Sequence, residues 1–154
     1  MAVVRKLTTK AACRVARIDR DRFNEHVAAG RFGCAPDTVP GRARLFTPDD
    51  MIALWLFREL MDDGLNAETA GYIACSVAAA AKHNPEASAI SQVYTSFGRE
   101  GAYPADQVPS PDKWATMSFS GGSILRVTTY NVEHLRELIG RYTDEEFAIA
   151  GEDD

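Results

Sequence analysis

Apolar positions recur at helical spacing almost from the start of the chain. Ala12, Val15 and Ala16 fall on one side of an Ala-rich stretch opened by Thr, which predicts a first helix over about Thr9 to Arg17. A second helix follows after a short turn. Asp19 suits its N-cap, Ile18 and Phe23 are placed as a hydrophobic staple, Phe23 and Val27 face inward, and Gly30 ends it. From Phe32 to Phe46 the helical period vanishes. Pro36, Pro40 and Gly41 break it, Asp37–Gly41 reads as a turn, and short arms on either side predict a two-stranded wing.

Helical spacing then returns with firm punctuation. Thr47 caps, Pro48 takes the first helical position, and Asp49 and Asp50 fill the first turn. Ile52, Leu54, Trp55, Leu56, Phe57, Leu60 and Met61 are apolar on more than one side, so this helix is expected to be mostly buried until Asp62-Asp63-Gly64 stops it. Leu65-Asn66 restarts the chain into an Ala-rich helix to about Lys82, with Ala70, Ile73, Val77 and Ala81 on one stripe.

The last third changes character. Residues 84–113 hold Pro85, Pro104, Pro109 and Pro111 and read as a connector with a short helix near Ser88–Phe97. Trp114–Phe119 and Ser123–Tyr130 flank Ser120-Gly121-Gly122, a hairpin signal. Asn131 can cap a final helix with Val132, Leu135, Leu138, Ile139 and Tyr142 inward, and Thr143-Asp144-Glu145-Glu146 reads as a capping box for one last turn. Val3-Val4 could form a strand. The expected fold is α+β, mainly α with a small β component. Residues 1–83 form a winged helix-turn-helix plus helix pair, 84–113 connect, and 114–154 form a β-hairpin–helix part with an acidic tail.

Composition adds few constraints and charge adds one. The chain has 154 residues, 45% hydrophobic and 25% charged, enough for an ordinary folded domain. No run approaches the ~18 apolar residues of a membrane span, and the N-terminus lacks an apolar signal core, so a cytoplasmic location is expected. Net charge is −5, yet residues 1–46 hold ten Lys/Arg against four Asp/Glu, and the remainder seven against eighteen. Such asymmetry predicts one cationic surface for an anionic partner. Cys13, Cys34 and Cys75 are far apart and odd in number, which argues against a disulfide framework or a zinc site; Cys13 and Cys75 are expected as small buried thiols.

The runs "TTKAACRVARIDRDRFNEHVAAGRF" and "RARLFTPDDMIALWLFRELMDDGLNAETAGYI" resemble the DNA-binding domain of MerR-type regulators. The second run carries that family's order: basic wing edge, cap, apolar helix, Gly-Leu, further helix. The resemblance implies a winged helix-turn-helix that binds double-stranded DNA as a dimer. Asn24, Glu25 and His26 stand where the family usually carries an Arg-Tyr-Tyr-like run, Pro85 interrupts any long coiled coil, and the paired cysteines of metal-sensing members are missing.

Reading DNA needs donors for phosphates and a few side chains at base edges. The second helix offers Arg20, Arg22, Asn24 and His26 on its flanks, where Asn can pair with adenine and Arg with guanine. Arg42 and Arg44 alternate along the wing and suit backbone or minor-groove contact; Lys10 and Arg14, one turn apart on the first helix, could clamp phosphates. Asp21 and Glu25 point away from the core and oppose phosphates. His83 and His134 read as surface residues, and Trp55, Phe57 and Trp114 as core or interface. No Gly-rich phosphate loop, G-x-S-x-G or ligand-spaced cluster is present, so neither an enzyme nor a cofactor or metal is expected. The expectation is a homodimeric, sequence-specific DNA-binding regulator, a repressor rather than an activator. Its alternative is a protein-binding adaptor or antitoxin-like module that holds a protein partner through the winged domain or the C-terminal part.

Overall fold

The computed structural model describes residues 5–38 and 40–150. The possible strand at Val3-Val4 and the acidic tail lie outside these residues, as does Val39 in the expected turn. The fold is mixed α and β, with two small antiparallel sheets. Strand β1 (Leu7–Thr8) runs into α1 (Thr9–Ala16), and α2 (Arg20–Ala28) follows. Strand β2 (Leu45–Phe46) leads to α3 (Pro48–Asp62) and α4 (Ala67–His83). Strands β3 (Ile90–Thr95), β4 (Gly98–Pro104) and β5 (Ile124–Tyr130) form the second sheet, and α5 (Val132–Ala150) closes the chain.

The first four helices lie where the apolar spacing predicts. Helix α1 ends one residue early, because Arg17 adopts the left-handed conformation at φ 61°. The Ile18 amide then donates back to the Cys13 carbonyl at 3.0 Å and the Arg17 amide to the Arg14 carbonyl at 3.2 Å, a Schellman closure made without glycine. Arg58 on α3 donates from Nε to the Ala16 carbonyl at 3.0 Å, satisfying another open acceptor of that helix end. At α3 the Thr47 hydroxyl accepts from the Asp50 amide and the Asp50 carboxylate accepts from the Thr47 amide, a reciprocal capping box. One buried cluster joins α1, α3, α4 and α5, with Phe23, Phe46, Phe57, Ile52, Leu54, Val77 and Val132 among its fully enclosed side chains.

Three local expectations are corrected. No hairpin forms among the described residues of 32–46. Leu45–Phe46 pairs instead with Leu7–Thr8, because Phe46 and Leu7 both fall on the buried side. The Arg44 guanidinium donates to the Pro36 carbonyl across the loop and closes it where a strand ladder was expected. Second, Ile90–Thr95 is a strand, not part of a short helix, and it is the central one, in the order β4-β3-β5. Third, residues 114–118 form no strand. The Trp114 indole N–H donates to the Pro109 carbonyl at 2.7 Å, which holds the chain in a 3-10 turn there. Ser120-Gly121-Gly122 does make a tight turn, but it brings only Phe119 opposite Gly122. Strand β5 pairs with β3 instead, with Ser91 and Thr129 hydroxyls 2.8 Å apart.

Helix α5 is capped by Asn131, whose side chain accepts from the His134 amide at 3.0 Å. It does not restart at Thr143. That residue is buried within a continuous helix, and the flanking Tyr142 and Phe147 pack on the core. Leu138, expected to face inward, is only half-buried. Tyr142 stacks on Trp55 of α3 with ring centroids 5.6 Å apart and an interplanar angle of 11°. The C-terminal helix is thereby fixed against the helices of the first half.

The cysteines need the fourth correction. Cys34, in the loop after α2, is disulfide-bonded to Cys75 on α4; Cys75 is not a free buried thiol. Only Cys13 is free, and burial pushes its pKa up to about 12.

Candidate nucleic-acid interface

Helix α2 is attached along one narrow side, by Phe23 with the half-buried His26 and Val27. Phe23 is its only buried residue, and it packs edge-on against Phe32 at 5.3 Å and tilted against Phe46 at 5.9 Å between ring centroids. Arg20, Asp21, Arg22, Asn24 and Glu25 are all exposed. The Asp19 carboxylate accepts from the Arg22 amide at 2.9 Å and sets the angle at which the helix starts. The face that carries Arg20, Asp21, Asn24 and Glu25 is open to a partner.

The N-terminal ends of α1 and α2 meet the loop that follows α2 around an open cleft of about 500 Å³. Lys10, Arg20, Asn24 and Arg44 line it, together with Thr8 and Thr9. Asp21 also lines it and stands 4.0 Å from Arg20 as an exposed ion pair. Both helix starts are closed by side-chain caps, Thr8 on the Ala11 amide and Asp19 on the Arg22 amide, so the cleft's positive charge comes from its three cations, opposed by Asp21. Thr8, Thr9 and Thr38 add hydroxyls there, and nothing in their spacing singled them out beforehand.

The other expected contacts lie elsewhere. Arg14 faces α5, where its guanidinium pairs with Glu146. Arg5 pairs with Asp144 at 3.0 Å and lies over the Phe147 ring, and Arg17 lies over Tyr142. Part of the basic charge of the first third therefore binds the chain's own acidic helix. Arg22 and Arg42 are exposed but do not line the cleft. His26 is turned inward. Its Nδ1 accepts from Arg31 Nε at 2.8 Å, and its ring meets Phe57 edge-on at 5.3 Å. Burial first, then the Arg31 charge, lowers its pKa, so it stays neutral and ties the end of α2 to the following loop.

That loop is held from both ends. Phe32 is buried against Phe57, Cys34 is bonded to Cys75, and Arg44 reaches back to Pro36. Among the described residues no cluster of His, Cys, Asp or Glu could hold a metal ion, and no helix is long and apolar enough to cross a membrane. In comparisons with known proteins the chain matches no family model and no curated sequence.

Proposed function

We propose that this chain is a sequence-specific double-stranded DNA-binding transcriptional regulator, a homodimeric repressor of the cytoplasm with no enzymatic activity. Its first half is read as a MerR-like winged helix-turn-helix in which a tied loop replaces the paired wing. The observation that carries the reading is the cleft where Lys10, Arg20, Asn24 and Arg44 gather at the starts of two helices. The cations would hold phosphates, while α2, with Arg20, Arg22 and Asn24 exposed, would enter the major groove. Asn24 is the candidate for reading adenine.

The second reading is a protein-binding adaptor or antitoxin-like module. It is favoured by β5, an edge strand with Leu125 exposed, since such an edge can accept a strand from a partner. Salt separates the two. Binding through several phosphates weakens steeply and linearly in log–log form as salt rises; strand addition does not. Selection of duplexes from a random pool, followed by affinity measured over a salt series, tests the first reading. A flat salt response, or recovery of no duplex, sinks it.

A further inference from the structure

The disulfide lies where it can govern the cleft. On α4, Gly71 and Cys75 are one turn apart and face the loop after α2. A Cβ on Gly71 would come within 1.9 Å of the Arg31 carbonyl oxygen, so the loop backbone lies directly on the helix at that point. One turn along, Cys75 is bonded to Cys34. Two residues beyond Cys34, the Pro36 carbonyl receives the Arg44 guanidinium, and Arg44 lines the cationic cleft. The covalent bond, the Pro36 carbonyl and Arg44 therefore form one mechanical series from α4 to the candidate DNA surface. Apart from this bond, the chain between the buried Phe32 and the buried Phe46 contributes no fully buried side chain among its described residues.

The bond is also reachable. Cys75 lines two open surface clefts and Cys34 shares one of them, beside Lys82 and His83. Neither cysteine is fully buried. Cys13, by contrast, is buried in α1, where its raised pKa keeps it a thiol and unreactive.

We propose that Cys34–Cys75 is a thiol-exchange site for small thiol reductants, and that its reduction releases the loop and withdraws Arg44 from the cleft. The regulatory half rests on the DNA-binding reading above; the release of the loop does not. An external thiolate attacks one sulfur, forming a mixed disulfide and expelling the other cysteine as a thiolate. A second external thiolate then displaces the first cysteine. Two external thiols are oxidised to one disulfide, and the protein gains two thiols with their two protons. In a cytosolic protein a disulfide is more often redox-responsive than structural, which accords with the proposed location.

The test uses the full chain, with and without dithiothreitol. Amide exchange over residues 35–38 and 40–44 should accelerate on reduction and slow again on reoxidation, while α3 and α4 remain protected. Native alkylation after reduction should label Cys34 and Cys75 but not Cys13. Affinity for a mixed-sequence duplex at low salt should fall by about tenfold, as expected for losing one charge-assisted contact. Cys34→Ser should behave as reduced protein in either condition, and Cys13→Ala should keep the response. Unchanged exchange in the loop on reduction overturns the proposal outright. Loop release with unchanged duplex affinity overturns its regulatory half. Loop release in a protein that binds no duplex in either state upholds the exchange site and removes the DNA reading instead.

Discussion

The missing Cβ of Gly71 would sit 1.9 Å from the carbonyl oxygen of Arg31, a backbone atom that cannot swing away. Gly71→Ala should therefore push the post-α2 loop off α4, at a cost of roughly 1–3 kcal/mol or more, the usual range for overpacking. Gly140 is the internal control. It lies within α5 with open space where its Cβ would be, so Gly140→Ala should stabilise by about 0.4–1 kcal/mol. Urea unfolding of the two variants gives the comparison, and similar effects in both would contradict the close approach at Arg31.

Phe23 is the one fully buried side chain of α2, beside the half-buried His26 and Val27. Phe23→Ala should cost about 3–5 kcal/mol, as for other buried aromatics, and should remove any partner binding that needs α2 in place. Amide exchange checks this. Protection should be lost first across residues 20–28 and retained longest in α3 and α4. Uniform loss across the chain would mean that α2 is not separately attached.

His26 accepts a hydrogen bond from Arg31 in its neutral form, and its pKa is depressed by burial and by that cation. The unfolded chain therefore takes up a proton near pH 6.5, while the folded chain resists until lower pH. Stability from this site is complete above that value and is lost as pH falls through the folded pKa. Between pH 7.5 and pH 5 the wild type should lose more stability than His26→Gln, measured by denaturant midpoint at each pH. Parallel losses would place the acid sensitivity in the carboxylates.

If Arg44 in the cleft and the exposed Arg42 beside it both contact phosphates, Arg42→Ala with Arg44→Ala should weaken binding to all duplexes alike and lower the salt slope by about one for each phosphate contact removed. Asn24→Ala should instead change preference among sequences while leaving the salt slope intact. Affinity of the double variant at moderate salt is the deciding measurement, and a value equal to wild type would show that the loop is not part of the interface.

Much of the helical half was legible in the residues themselves. Asp19, Thr47 and Asn66 are short polar side chains placed before apolar spacing, and each accepts from the backbone three residues on. Capping is a local event, so the local sequence suffices. The sheet was not legible for the opposite reason. Ile90–Thr95 buries Ser91, Gln92 and Thr95, and such polar residues read as a connector until cross-strand partners such as Thr129 are known. The acidic helix that takes Arg14 through Glu146 is likewise separated from it by most of the chain.

By itself, then, the order of residues determined within a residue or two where the first four helices begin and stop, and that the cations crowd into the first third. Only the tertiary structure decided that Arg14 pairs with Glu146 and His26 turns inward while Lys10, Arg20, Asn24 and Arg44 share a cleft, and that Cys34 meets Cys75. Helix ends and amphipathic faces depend on neighbours within a turn or two. Strand partners, ion pairs and disulfides depend on which distant segments the core brings together, and composition says nothing of that.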